Sequence, residues 1–521
     1  MEIAMEDGPP VLAAERLTPD SVGEGRRGPI TLALMLGTLM VALDLTVVNV
    51  ALPHMQGNLS ASPEQITWVL TSFMVAQAVM TPITGWLATR IGTKTLLLFS
   101  TASFTVMSVL CGLSSGLPEM VIFRVLQGIT GAALMPLGQS VLMDISPPER
   151  LGRTMALFGT STVLAPLLGP VVGAYLTEQL SWRWCFYINL PAGVVALILL
   201  WIFMPGGRGR PRRFDFLGFS SLALAVACLQ LVLDRGPSQD WFSSVEIWIE
   251  AILAAIGFWI FFVHSMTAKH PLFDTRLARD RNFLATNAIF VVFSILMFAS
   301  VALAPLMMQG IMGYPVMLSG LVAMPRGISV LVMLQIIGRV DNWIDRRLVI
   351  AVGLSMLAVT FWQMSHFDLN MEPRNIAWAL ALQGIGQGML TVPLITLMFA
   401  TLPGELRADG SALSNLVRTM GGSIGISIMQ ALTVENQQRM HAALAAHIQP
   451  ADPVVRAGLG QALAAGNLQG LLGVDGEIAR QAAMVAYVDA FRAMAILGAC
   501  AVPLIFLLRP ARPRSSPLRS R

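Results

Sequence analysis

Four ionisable side chains lie inside long apolar runs of the 521-residue chain: Asp44, Arg124, Arg326 and Arg418. A charge at membrane depth is expensive and persists mainly where it has a partner or lines a cavity. A buried carboxylate can take up and release a proton, with an affinity set by burial and by neighbouring charge. Arginine does not deprotonate in proteins, so Arg124 can only bias such a partner or fix a permanent pair with it. Asp44 is read as a titrating group, with a structural ion pair as the alternative. Arg326, which follows Pro325, and Arg418 are read as structural or cavity-lining.

Other chemistry has little to stand on. Two segments, 112–116 and 421–425, spell the hydrolase elbow GxSxG, but that motif needs a strand-to-helix turn and neither place offers a strand. Asn58-Leu59-Ser60 spells a glycosylation sequon, a pattern that recurs by chance. His441 and His447 have no ligand cluster around them, and there is no GxxxxGK[ST] phosphate loop. Cys111, Cys185, Cys228 and Cys500 are far apart without CxxC spacing; three fall inside apolar spans, and they read as core residues rather than disulfides or metal ligands. No catalytic residue, metal or cofactor is expected.

The elements that carry the four charges must then be membrane helices. Hydrophobic residues make up 55% of the chain and charged residues 12%, with mean hydropathy +0.68. Ordinary globular domains carry about 25% charged residues. That deficit excludes a soluble enzyme, a nucleic-acid binder and a disordered scaffold, and leaves a polytopic protein of the lipid bilayer. Residues 1–29 are polar and lack the apolar core of a cleaved signal, so the first apolar run is expected to direct insertion.

A spanning helix needs about 20 apolar residues. Fourteen runs qualify, near 30–53, 66–87, 95–113, 119–143, 152–176, 187–204, 214–234, 245–265, 285–309, 318–338, 348–366, 375–400, 408–432 and 490–508. With both termini cytoplasmic, 24 of the 34 Lys and Arg fall in inner segments and 3 (Arg183, Arg235, Arg374) in short outer loops. This is the positive-inside bias, and an odd number of spans would destroy it.

Three signatures recur at nearly one offset. Gly85 is matched by Gly338, Leu126-Gln127-Gly128-Ile129 by Leu382-Gln383-Gly384-Ile385, and Gly169-xxx-Gly173 by Gly421-xxx-Gly425. Each pair is displaced by eight helices, which predicts two parallel six-helix halves with two helices inserted between them. Parallel repeats around a midplane site are a secondary-transporter architecture. The expected divisions are a cytoplasmic tail at 1–29, a six-helix bundle at 30–204, and a linker with two extra helices at 205–283. A second bundle follows at 284–508, with a long outer loop at 433–489, and a cytoplasmic tail at 509–521. Pro166 and Pro170 should interrupt the fifth helix, beside Gly169 and Gly173, where ordinary tight packing and rocking contact between halves are both open readings.

These residues resemble a known family. Leu43-Asp44-Leu45-Thr46-Val47-Val48-Asn49-Val50-Ala51-Leu52-Pro53 is similar to the first-helix signature of fourteen-helix EmrB/QacA-type drug:proton antiporters of the major facilitator superfamily. The segment 85–94, with Gly85, Arg90, Gly92 and Lys94, resembles the superfamily's loop between helices 2 and 3. Arg124, Gln127, Gly128 and Gly131 match RxxQGxG, and 165–173 resembles the antiporter motif with Pro166, Gly169, Pro170 and Gly173. Residues 182–191 are similar to WRWxFxINxP, and Gln309, Gly313, Tyr314, Pro325 and Gly327 fit the second half. Thr89 stands where many members carry an acid, so the charge relay of that loop does not transfer. Ala174 replaces a second glycine.

The resemblance spans about residues 30–510. It implies a multi-pass protein of the bacterial inner membrane that exports hydrophobic or amphiphilic compounds against inward proton flow. Asp44 would then couple protons, Arg124 tune it, and Arg90 serve the cytoplasmic gate. Asn49, Gln127, Gln309, Arg326, Gln383, Asn415 and Arg418 are the candidate cavity-lining residues. The long Ala- and Gln-rich outer loop resembles that of EmrB-like members, which work with a periplasmic membrane-fusion adaptor and an outer-membrane channel; a lid or spacer is the alternative. A dedicated exporter of one metabolite, such as a siderophore or peptide, is a second function. A membrane enzyme acting on lipid is a third, although no catalytic dyad supports it.

Overall fold

A computed structural model of the chain describes residues 22–207, 209, 213–340, 344–448 and 468–508. Most of the two expected tails, and the stretch 449–467 with Arg456, lie outside these residues. The described chain is helical and contains no strand. The first six long helices are α1 Glu24–Asn58, α2 Trp68–Ile91, α3 Thr93–Leu113, α4 Leu117–Ile145, α5 Leu151–Gln179 and α6 Trp184–Phe203. Then come α7 Phe216–Arg235 and α8 Val245–Thr267. The last six are α9 Arg281–Ile311, α10 Val316–Val340, α11 Arg346–Met364, α12 Pro373–Ala400, α13 Arg407–His447 and α14 Leu468–Ala501.

Lipid offers the backbone no hydrogen bonds, so apolar runs of this length must satisfy themselves as helices. Thirteen of the fourteen are apolar enough to cross a membrane by length and composition. The exception, α13, is long enough but diluted by Asp409, Asn415, Arg418 and a Gly/Ser-rich middle, most of which is buried against other helices.

Two expectations change. Helix α5 is not interrupted: it runs through both Pro166 and Pro170. Membrane helices tolerate proline, and beside these two Thr46 of α1 reaches the Ala165 carbonyl at 3.2 Å, which ties α5 to α1. The segment 433–489 is not a loop throughout either, because α13 continues to His447 and α14 already begins at Leu468. The Ala- and Gln-rich composition that marked this segment is strongly helix-forming. The two extensions pack together, and His441 Nε2 lies 3.0 Å from Asp475 Oδ1 across them. Beyond position 433, α13 rises about 20 Å further at 1.5 Å per residue.

The two halves repeat one packing scheme. In the first, α1 packs on α5 and α6, α2 on α4, and α3 on α4 and α6; in the second, α9 packs on α13 and α14, α10 on α12, and α11 on α12 and α14. The repeat extends to single glycines. A Cβ on Gly128 would come within 2.5 Å of the Phe73 carbonyl oxygen, and one on Gly384 within 2.3 Å of the Arg326 carbonyl oxygen. Each glycine lets α4 or α12 lie directly against the backbone of its neighbour, as small residues do between membrane helices.

Between the halves, α5 faces α10, while α2 and α4 face α13. Helices α7 and α8 form a hairpin, with α7 packed on both α2 and α13. Ser427 of α13 donates to the Leu233 carbonyl of α7 at 2.8 Å.

Candidate proton-coupling site

Asp44 sits in α1 with its side chain wholly buried, paired with Arg124 of α4. Three donors converge on the carboxylate. Arg124 contacts Oδ2, while Gln127 Nε2 and Asn189 Nδ2 donate to Oδ1 at 3.0 and 3.1 Å. Asn189, at the start of the main run of α6, also donates to Ser108 Oγ of α3 at 3.0 Å, and Ser108 donates to the Phe186 carbonyl at 2.9 Å. One carboxylate thus gathers α1, α3, α4 and α6.

Arg124 is fixed as firmly. Its Nε donates to the Val69 carbonyl of α2 at 2.8 Å, and NH1 also reaches Gln127 Oε1 at 2.9 Å. The guanidinium carbon lies 4.3 Å from the Phe73 ring centroid and 5.7 Å from that of Phe186, within the range of cation–π attraction. Gly128 permits this arrangement, since it holds α4 against the α2 backbone one turn from Val69. Only NH2 is buried without a partner. In such surroundings the pair is mutually dependent, because removing either charge strands the other out of water.

The second half holds the same frame without the charge. Gln383 donates to Ser300 Oγ at 2.9 Å. Gln383 and Ser300 each lie 256 residues after Gln127 and Asp44, and the position equivalent to Arg124 is Leu380. The ionisable version of the motif belongs to the first half.

The expected gate residues lie at the cytoplasmic ends. A Cβ on Gly85 would strike Asp409 of α13, at 2.1 Å from Oδ1 and 3.0 Å from its backbone. Its partner in the repeat, Gly338, is packed against α5, where a Cβ would come within 2.5 Å of the Ala156 Cβ and 3.0 Å of the Gly152 carbonyl oxygen. Arg407 NH1 bonds Asp144 Oδ1 at 2.7 Å, and Ser411 and Asn415 bond Gln139 at 3.3 Å each. The halves are therefore joined on the side that the basic residues mark as cytoplasmic. Gly92 has φ +90° and lies against the Gly207 carbonyl, and the tilted rings of Trp86 and Phe214 have centroids 4.7 Å apart, so the linker to α7 runs over this loop. Lys94 donates to the Trp201 and Met204 carbonyls at the end of α6, at 2.9 and 2.6 Å. Arg90 lies 5.5 Å from the Trp86 ring centroid. Gly169 and Gly173 seat α5 on Thr46 and Val47 of α1, inside the first half rather than between halves.

The candidate cavity residues scatter. Gln127 is a partner of Asp44 and Gln383 of Ser300, and both are buried among the helices of their own bundles. Asn49 and Gln309 are exposed and are not gathered with Asp44. Arg326 reaches Gln387 Oε1 at 3.5 Å, while Arg418 donates to Met135 Sδ at 2.7 Å and Asn415 Oδ1 at 2.9 Å. Asn189, Ser108, Phe73 and the Val69 carbonyl were not anticipated as site groups. The one signal was the asparagine in the 182–191 segment.

The Major Facilitator Superfamily family model matches residues 34–426. The chain is 36% identical over 431 residues to the multidrug export protein EmrB of Escherichia coli K12, covering 82% of this chain and 84% of that one. It is 34% identical over 491 residues to the fatty acid resistance protein FarB of Neisseria gonorrhoeae, covering 92% and 96%. The probable multidrug resistance protein EmrY of E. coli K12 is 34% identical over 505 residues, covering 96% and 98%. Among solved structures, the human organic anion transporter MFSD10 superposes with a TM-score of 0.59 at 14% identity, over 93% of this chain and 100% of that one, which speaks to fold alone. With its repeated six-helix halves and a relative of this similarity over most of its length, the chain is a multi-pass transporter of the Major Facilitator Superfamily, in the EmrB-like group of multidrug exporters.

Proposed function

We propose that this transporter couples export of hydrophobic or amphiphilic compounds to inward proton flow, with Asp44 as the group that takes and releases the proton. The observation that carries this reading is the buried carboxylate tied to four helices through Arg124, Gln127 and Asn189. In the cytoplasm-closed arrangement, a proton reaching Asp44 cancels one half of the pair and frees Arg124. The cost of that unpaired cation falls when α1 and α4 shift, and the first half rocks on the second. Release of the proton inward restores the pair and resets the carrier. The names of the relatives, multidrug export and fatty acid resistance, agree with an apolar or amphiphilic cargo.

Substrate-dependent proton release from the purified, detergent-solubilised protein tests the coupling. Adding a transported compound should acidify a weakly buffered sample of wild type and not of Asp44→Asn. Equal release from both would remove Asp44 from the coupling.

The helical extensions of α13 and α14 support a second element of the proposal: assembly with a periplasmic adaptor and, through it, an outer-membrane channel. The α13 extension, with Val434, Gln437, Gln438 and His441 around a shallow cavity of about 350 Å³, offers a surface beyond the bilayer. Deleting 436–475 should abolish resistance in whole cells while leaving transport in proteoliposomes intact. Loss of both would make the hairpin part of the carrier itself.

A further inference from the structure

At the outer end of α7 a carboxyl group is held by neutral partners alone. Gln230 Nε2 donates to Asp234 Oδ1 at 2.9 Å, while Asp234 Oδ2 and Gln230 Oε1 are both buried with no hydrogen-bond partner. Among the described residues the only other side chain that acts on the carboxyl is Thr71 of α2, also neutral. Charges on the neighbouring elements are engaged or distant. Arg235, next in the chain, bonds Glu246 of α8 at 2.8 and 2.9 Å and Glu250 at 3.1 Å, and its guanidinium carbon lies 5.9 Å from the Trp68 ring centroid of α2. The α2 run 68–80 carries no titratable residue, and on α13 the charges nearest to Ser427 are Arg418 and Glu435, nine and eight residues away. Asp240 of the following loop is exposed.

Asp234 also sits at a junction. The outer run of α2, 68–80, packs on α7, whereas α2 meets α13 through its cytoplasmic end, 81–91. Near the outer face the last turn of α7 therefore stands between the halves. Ser427 on the Leu233 carbonyl ties it to the second half, and Asp234 beside Thr71 sets it against the first. A buried polar atom without a partner is costly, and here both members of one acid–amide pair leave an acceptor unanswered. One proton answers both. Placed on Oδ2, it donates to Gln230 Oε1 and closes the two-bond ring that a carboxylic acid forms with a primary amide. We propose that Asp234 is a proton-binding group distinct from Asp44, loaded from the outer side, and that its protonation fastens α7 across the seam between the halves. Without the proton Oδ2 must reach water, and α7 parts from α2. The inserted hairpin is then a proton-operated strut rather than a passive spacer. Proton uptake at this position can be measured without transport and stands whether or not Asp44 drives export.

Infrared difference spectra of the full-length protein in phosphatidylcholine nanodiscs test the site, with aspartate carrying carbon-13 at its side-chain carboxyl. Between about pH 8.5 and about pH 5.5 exposed aspartates, with an ordinary value of about 3.9, stay ionised. Acidification over that interval should raise one protonated-carboxyl band of aspartate in wild type that Asp234→Asn lacks. In Gln230→Leu, which keeps the acid and removes its ring partner, that band should move to higher frequency. The strut is read by Leu233→Cys, a buried position on the same face of α7 as Gln230, in a protein with Cys228→Ser and Cys500→Ser. Asp234→Asn in the same background is the reference for thiol chemistry, since its amide can donate as the protonated acid does. Against that reference the cysteine should react with an impermeant maleimide about fivefold faster at the alkaline pH, the scale of one buried hydrogen bond, and equally at the acidic pH. A spectrum of Asp234→Asn identical to wild type, or a band unmoved in Gln230→Leu, would overturn the proton site. Labelling equal to the reference at both pH values would overturn the strut. Should Asp234→Asn fail to fold, the band shift in Gln230→Leu still decides the assignment.

Discussion

Ser300 occupies in the second half the place that Asp44 holds in the first: each accepts a hydrogen bond from the amide of a glutamine in the fourth helix of its bundle, Gln383 at 2.9 Å and Gln127 at 3.0 Å. The frame is shared and the charge is not. A transporter built from two like halves thus places this ionisable pair on one side of the axis only.

The buried pair should behave as a unit in stability. Asp44→Asn strands Arg124 and should cost about 3–5 kcal/mol, whereas Asp44→Asn/Arg124→Gln, with both charges gone, should recover most of it. Thermal unfolding of the detergent-solubilised variants measures this cycle. Additive losses would show that the two residues act independently.

Asn189 should matter nearly as much as the residues that carry charge. Its amide bridges Asp44 and Ser108 in a fully buried setting, and a hydrogen bond to a charged group contributes about 1.5–3 kcal/mol. Asn189→Leu is expected to lower thermal stability by that amount and transport by tenfold or more, with Asn189→Gln intermediate. Wild-type transport in Asn189→Leu would remove it from the site.

Closure on the cytoplasmic side should be sensitive to a small side chain at either of two glycines. Gly85→Val and Gly338→Val each place atoms where α13 or α5 now lies. Both should block transport and hold the cytoplasmic side open. In a protein whose exposed Cys500 is replaced by Ser, a cysteine at the buried Ser411 should be labelled from the inside only when either valine is present. Protection from label in both variants would place the gate elsewhere.

Ser300→Ala should be nearly silent, with export within about threefold of wild type, since it removes one hydrogen bond and no charge. Vesicle transport assays would show a larger effect if the second half also carried protons.

How far the sequence reveals this site depends on the kind of signal. Asp44 and Arg124 are legible because a charge in an apolar run is rare and costly. The repeat is legible in glycines because close helix packing admits little else. Asn189 and Ser108 carry no such mark, for neutral polar residues are ordinary in membrane helices and only three-dimensional neighbours single them out. Gln383 and Asn49 show the complementary difficulty. A polar residue in a span can face a cavity or its own bundle, and helices this uniformly apolar show little sidedness to say which. The outer extensions are half legible: their Ala- and Gln-rich composition is helix-forming, but without an apolar run nothing in the sequence marks where α13 ends and α14 begins.

The most direct measurement of the central claim is accumulation of a fluorescent amphiphile by proteoliposomes under an imposed pH gradient, in wild type and Asp44→Asn reconstituted at equal density. The account predicts gradient-driven accumulation in wild type, and in Asp44→Asn only slow equilibration that does not respond to the gradient. Gradient-driven accumulation by Asp44→Asn at the wild-type rate would contradict it.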